Sequence, residues 1–361
     1  MKQSMRGLVD ALASGSVSRR EIMRALGLTA SAAFAAGVVP ELFPASATAA
    51  RAQTAEAGRL ALKAVSYNHI NYQVQDYAKV RDFYVNMFGM KDVWDDGKQC
   101  SVECGNPPNA IYIRPLNKPL DRAPGNWSSQ MGQGNVDHFA FSLENFDLEP
   151  VRAELVRRGL EPKGDGDYAW SIKDRDGTVI QICAVHGVYP GAAAPNAKES
   201  NGLKNLSSIP GPDGTGFKAV AVSHVVYNVA DVDRARDFYM NLLDMKLVYY
   251  KPGGVFGVDE TDGPICFLKF GENYFYLRQS QHPDKKPYVA HFTLMVENFD
   301  QAAVKAKLEK LGYKPSPDSK YAWSIQDPAG MRTEVAGKGV PEHVGGDCGG
   351  SNAKCPGGKD K

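Results

Sequence analysis

Val220-Ala221-Val222-Ser223-His224-Val225-Val226-Tyr227-Asn228-Val229 reads as a β-strand with one histidine in it. Two later runs have the same character. His291-Phe292-Thr293-Leu294-Met295-Val296 opens on a histidine, and Met331-Arg332-Thr333-Glu334-Val335 carries a carboxylate. Side chains alternate faces along a strand, so one inward position per strand can aim at a common point. Two neutral imidazoles and a carboxylate gathered this way suit a divalent transition metal with open coordination positions. His224, His291 and Glu334 are therefore the expected metal ligands.

The arrangement occurs twice. In the first half His69 precedes Asn71-Tyr72-Gln73-Val74, His138 precedes Phe139-Ala140-Phe141-Ser142, and Gln181 lies in Val179-Ile180-Gln181-Ile182. The two histidines are 69 residues apart in the first half and 67 in the second, and the third position follows 43 residues later in both. Arg81-Asp82-Phe83-Tyr84 recurs as Arg236-Asp237-Phe238-Tyr239. Glu144-Asn145-Phe146-Asp147 recurs as Glu297-Asn298-Phe299-Asp300, and Tyr168-Ala169-Trp170-Ser171-Ile172 as Tyr321-Ala322-Trp323-Ser324-Ile325. The period is that of a small domain, so the chain reads as two copies of one module rather than a solenoid.

Boundaries follow from composition. Residues 63–185 are the first module, 217–340 the second, and 186–216, rich in Gly, Pro, Ala, Asn and Ser, the linker. Each module opens strand–helix. Asp76 and Asp231 are the expected N-caps, and Gly89 is expected to end the first helix. Second helices are expected near 148–158, closed by Gly159, and around Val304–Leu311, closed by Gly312. Residues 341–361 form a Gly-rich, mobile tail. Residues 1–52 lie outside the fold: Arg19-Arg20, a mildly apolar run from Ala25 to Val39 and Ala-rich cleavage sites resemble a twin-arginine export signal. That apolar run is too short for a secure membrane span. The implied partner is the export machinery and the implied location is periplasmic or secreted. That route carries folded proteins, so a metal can be loaded before export.

A net charge of +1 without a basic, aromatic-studded run argues against nucleic-acid binding. Cys100, Cys104, Cys183 and Cys266 fall in or beside strands as buried apolar residues. Cys348 and Cys355 could pair after export, which spacing does not decide.

The strand–helix–strand order, the two strand histidines and the carboxylate after Asp327-Pro328-Ala329-Gly330 resemble the vicinal oxygen chelate superfamily. That group includes glyoxalase I, extradiol dioxygenases and bleomycin-resistance proteins. The resemblance implies an α+β fold: two tandem βαβββ modules forming a pseudo-symmetric eight-stranded cup, helices outside. It also implies a metal that grips two neighbouring oxygens of a small substrate. His224, His291 and Glu334 match the family's ligand set; in the first module Gln181 replaces the carboxylate. A complete second site beside an eroded first one resembles the extradiol dioxygenases. Three departures stand. Ser324 occupies the place of that group's tyrosine, its upstream histidine is missing, and Tyr276 stands where glyoxalase I has a glutamate.

Further residues carry open readings. Tyr276 and Arg278 alternate onto one strand face. Facing inward they place a hydroxyl and a cation over a substrate; facing outward they are surface residues. His282, in a loop, is either solvated or an acid or base at the cup mouth. Trp170 and Trp323 read first as core packing. Three functions compete: a dioxygenase with Fe(II), Mn, Zn and Ni being alternatives; a glyoxalase- or epimerase-like lyase or isomerase using the metal as a Lewis acid; and a non-catalytic binding protein. An oligomer is compatible with all three.

Overall fold

In a computed structural model of the chain, residues 60–117, 134–185 and 214–338 are described, apart from 254, 257, 258, 261, 262, 283 and 320. The export signal, the cleavage sites, nearly all of the linker, the tail and Cys348 and Cys355 lie outside the described residues.

The first module runs β1 (Ala64–Val74), α1 (Tyr77–Phe88), β2 (Lys91–Asp95), β3 (Cys100–Cys104), β4 (Asn109–Pro115), β5 (Asn135–Leu143), α2 (Leu148–Arg157), β6 (Lys163–Gly164), β7 (Ala169–Lys173) and β8 (Val179–Ala184). The second repeats it as β9 (Ala219–Val229), α3 (Val232–Leu243), β10 (Lys246–Lys251), the short pair β11 (Val255–Phe256) and β12 (Asp259–Glu260), β13 (Ile265–Phe270), β14 (Asn273–Gln279), β15 (Tyr288–Val296), α4 (Gln301–Lys310), β16 (Ser316–Ser319), β17 (Ala322–Gln326) and β18 (Arg332–Ala336). The expected α+β fold of tandem βαβββ modules is present. The structure adds that each module holds the βαβββ unit twice. Its eight-stranded sheet is its own, in the order β2-β3-β4-β1-β5-β8-β7-β6 or β10-β13-β14-β9-β15-β18-β17-β16. The sheet is thus one per module, not one shared by both. Within a unit the first strand pairs parallel with the last, which requires the helix as crossover. The two units of a module join by the antiparallel pairs β1–β5 and β9–β15.

Local chemistry fixes the helices. Asp76 accepts from the Lys79 amide and Asp231 from the Arg234 amide, satisfying donors that a helix start leaves bare. Gly89 closes α1 at φ 59°. Trp170 and Trp323 donate their indole N–H to the carbonyls of Leu148 and Gln301, pinning α2 and α4 to β7 and β17. The tryptophans are buried packing residues, in keeping with their first reading. The four described cysteines are buried and free.

The modules meet through the faces opposite their histidines. Phe139 and Phe141 of β5 pack their rings on Phe275 of β14, and Phe139 on Tyr227 of β9. Tyr72 and Tyr84 pack on Phe292 of β15. Reciprocal polar bonds frame this aromatic layer. Asp327 accepts from the phenols of Tyr72 and Tyr84, and Asp174 from those of Tyr227 and Tyr239, at 2.8–3.1 Å. Near the axis Asn273 donates to Asn109, which accepts also from the Val222 amide. At the hairpin glycines Gly271 and Gly105 a Cβ would overlap the carbonyl oxygens of Val65 and Val220 in the other module. Both glycines have positive φ, so they serve turn and close approach together. Among the described residues no helix is long and apolar enough to cross a membrane.

Candidate metal centre

Strand register builds the second-module site. His224 of β9 pairs with Thr293 of β15, and Thr293 with Glu334 of β18, so three neighbouring strands present these side chains in one row. His291 lies one step along β15, opposite Val226. The expected ligands meet. The ligand atoms of His224, His291 and Glu334 lie within 4.8 Å of one another, with His291 Nε2 3.2 Å from Glu334 Oε1 and His224 Nε2 3.7 Å from Oε2. Donors about 2.1 Å from a cation sit about 3.0–3.4 Å apart at right or tetrahedral angles, so the closest edge already suits an ion.

All three groups are buried, Glu334 completely. Burial is the main reason that His224 is held neutral down to about pH 4, and it drives His291 well below the ordinary histidine value; Arg332 adds to both. Neutral rings keep a lone pair to offer. The carboxylate is already well held. Thr293 Oγ1 donates to Oε2 at 2.7 Å, while Ser324 Oγ at 3.2 Å and Arg332 at 2.8 Å donate to Oε1. Arg332 is tied in turn to Asp318 and to Ser324 Oγ.

Because Thr293 gives its proton to Glu334, it accepts from His224 Nε2 at 3.0 Å. His291 Nε2 faces Glu334 Oε1, and its Nδ1 is buried without a partner. Both rings therefore carry their proton on the inner nitrogen here. A bound cation would take the place of those protons, with the proton moving to Nδ1. The donor set fits a divalent ion: two neutral imidazoles supply nitrogen, and Glu334 supplies balancing charge.

Tyr276 and Arg278 face inward, opposite Val226 and Asn228. Tyr276 stacks on Phe267 at 4.2 Å, with its ring centroid 6.4 Å from that of His224. Arg278 is buried and donates to Asn228 at 2.7 Å. His282 is buried, contrary to the ordinary state of a loop histidine. Its Nδ1 accepts from the Asp284 amide at 3.0 Å, so a neutral His282 carries its proton on Nε2. Thr293 and Arg332 were not anticipated. Each lies two residues from a ligand, on the same strand face, which is the signal that would have found them.

In the first module His69 and His138 also meet, Nε2 to Nε2 at 3.2 Å. Gln181 stands in the row of His69, across Ala140, and its amide donates to Asp165 at 2.6 Å and Ser171 at 3.3 Å.

Solved structures share the fold. The Mn(II)-bound glyoxalase from Novosphingobium aromaticivorans is 13% identical with a TM-score of 0.52, over 76% of this chain and 82% of that one. The 2,3-dioxygenase LapB from Pseudomonas sp. KL28 is 15% identical with a TM-score of 0.53, over 77% and 94%. A mutant of homoprotocatechuate 2,3-dioxygenase from Brevibacterium fuscum is 15% identical with a TM-score of 0.53, over 77% and 72%. No curated protein matches at a significant level. The model of the Glyoxalase/Bleomycin resistance protein/Dioxygenase superfamily matches residues 66–182 and again 221–335. With one match in each module and more than half of the chain covered, the protein belongs to that superfamily.

Proposed function

We propose that the second module is the working centre of a metal-dependent dioxygenase, with Fe(II), acting on a small substrate held through two neighbouring oxygens. The observation that carries this reading is the buried triad His224, His291 and Glu334, an arrangement of two histidines and one carboxylate that leaves positions open. When bound, the metal would supply a seat for the substrate oxygens and for O₂.

The chain's own residues do the rest. Thr293, Ser324 and Arg332 fix both oxygens of Glu334, so the carboxylate stays in place as the load changes. Ile265, Phe267, Tyr249, Tyr276, Tyr288 and Ala290 form one apolar cluster around Val226, on the triad's face of the sheet. Such walls exclude water and suit a flat ring. The Tyr276 phenol is a candidate proton donor and the Arg278 guanidinium a candidate anchor for an anionic substrate group. His282, with its Nδ1 engaged by the Asp284 amide and its proton on Nε2, is suited to donating a hydrogen bond to a substrate oxygen rather than to taking a proton. Likeness to a Mn(II)-bound glyoxalase favours the lyase reading. Tyr276, at the place of a fourth acidic ligand, favours the oxygenase.

The test is anaerobic Fe(II) loading of tag-free protein, followed by O₂ uptake with catechols. Uptake is expected, and His224→Ala and His291→Ala should abolish it with unchanged circular dichroism. A loaded protein that consumes no O₂ but isomerises hemithioacetals would move the lyase ahead. Failure to bind any metal would leave the binding protein.

Export through the twin-arginine route, to the periplasm or beyond, is part of this proposal, on the strength of Arg19-Arg20 and the apolar run that follows. Replacing both arginines by lysine should trap the protein in the cytoplasm; unchanged export would overturn the reading.

A further inference from the structure

The outer partners of His69 and His138 decide where their protons sit. Asn68 donates its amide to the Ala184 carbonyl at 3.0 Å and to Ser142 at 3.3 Å, which turns its oxygen toward His69 Nδ1, 3.0 Å away. That oxygen can only accept, so His69 Nδ1 carries the proton. His138 Nδ1 lies 2.9 Å from Asp137 Oδ2, a carboxylate also gripped by Arg114 at 2.7 Å. It too carries the proton. In neutral rings both Nε2 atoms are then unprotonated, and they face each other at 3.2 Å. Two lone pairs at that distance repel unless a cation lies between them.

Outer acceptors on Nδ1 with inner lone pairs converging is how metal-bound histidines are oriented. The second module is less prepared: its inner nitrogens spend their protons on Thr293 and Glu334, His224 Nδ1 meets only the Ser223 hydroxyl at 3.4 Å, and His291 Nδ1 has no partner. A second observation points the same way. Asn71 lies opposite His138 on the same sheet face as His69, fully buried, and neither its oxygen nor its nitrogen has a hydrogen-bond partner. A buried amide without partners costs stability unless something binds it. In the second module Val226 holds this place. Gln181, anchored at its nitrogen end by Asp165, leaves its carbonyl end as a further neutral oxygen in the same row.

We propose that the first module carries a second cation site. His69 and His138 are its nitrogen ligands and the amide oxygens of Asn71 and Gln181 its oxygen donors, suited to a divalent ion of the Zn(II), Co(II), Ni(II) or Cu(II) kind. The donors are all neutral, and the balancing charge sits one shell out, on Asp137 and Asp165. This site is independent of the proposed activity of the second module.

The probe is Co(II), titrated into chelator-stripped, tag-free, full-length protein and read by equilibrium dialysis and visible absorption. Two equivalents are expected for the natural sequence. Glu334→Ala combined with His224→Ala should retain one equivalent, with the absorption of nitrogen-ligated Co(II), and adding His69→Asn should remove it. If the double variant does not fold, His69→Asn alone decides, since it should lower two equivalents to one. A double variant that keeps its circular dichroism yet binds no Co(II), or a stoichiometry that His69→Asn leaves unchanged, would overturn the proposal and leave a proton shared between the rings. A single equivalent lost with His69→Asn but not with Glu334→Ala would uphold it while removing the reading of the second module.

Discussion

Asp327 shows how one residue's chemistry reaches the stability of the molecule. Burial pushes its carboxyl up to about 6, against the pull of Tyr72, Tyr84 and two backbone amides. The native state therefore holds a proton that the unfolded chain, with an ordinary value near 3.9, releases sooner. Its stabilising contribution is complete below about pH 4 and is lost as pH rises through about 6. Asp327→Asn carries no such titration. The stability of the natural sequence minus that of the variant should fall between pH 4 and pH 7, by up to about 3 kcal/mol for a shift of about two units. Urea denaturation of both proteins at the two pH values checks this; a constant difference would remove the assignment. At the same scale, the sequence yielded His224, His291 and Glu334 because spacing and context repeat. It did not yield the inward facing of Tyr276 and Arg278, because that depends on the pairing of β14 with β9, and alternation alone allows either face.

At the scale of elements, caps and turns were legible because their chemistry is local. Asp76 and Asp231 cap, Gly89 closes, and Gly330 takes positive φ at the end of the Asp327-Pro328-Ala329-Gly330 turn before the third ligand strand. The doubling of the βαβββ unit inside each module was not legible. Its two halves share no repeated wording, β6 is two residues long, and the pairings that define the unit, β1 with β4 and β5 with β8, join strands far apart in sequence. Such register is set by tertiary contact, to which a local pattern is blind. The same gap hid the contrast between the two histidine pairs. The second module has the charge, and the first has the prepared outer shell of Asn68 and Asp137.

For the whole molecule, the reciprocal bonds between modules carry a consequence for self-recognition. The first module supplies two phenols, Tyr72 and Tyr84, and receives two on its own Asp174; the second does the same with Tyr227, Tyr239 and Asp327. Each module thus displays, on one surface, both a donor pair and the acceptor that such a pair fits. A surface of that kind is complementary to its own copy, which is the condition for an isologous two-fold dimer. Residues 60–185 expressed alone should therefore sediment as a dimer, and Asp174→Ala should weaken it; a folded monomer would show that the fit is specific to unlike halves. A module cut from its partner would find in a second copy of itself the neighbour it had lost.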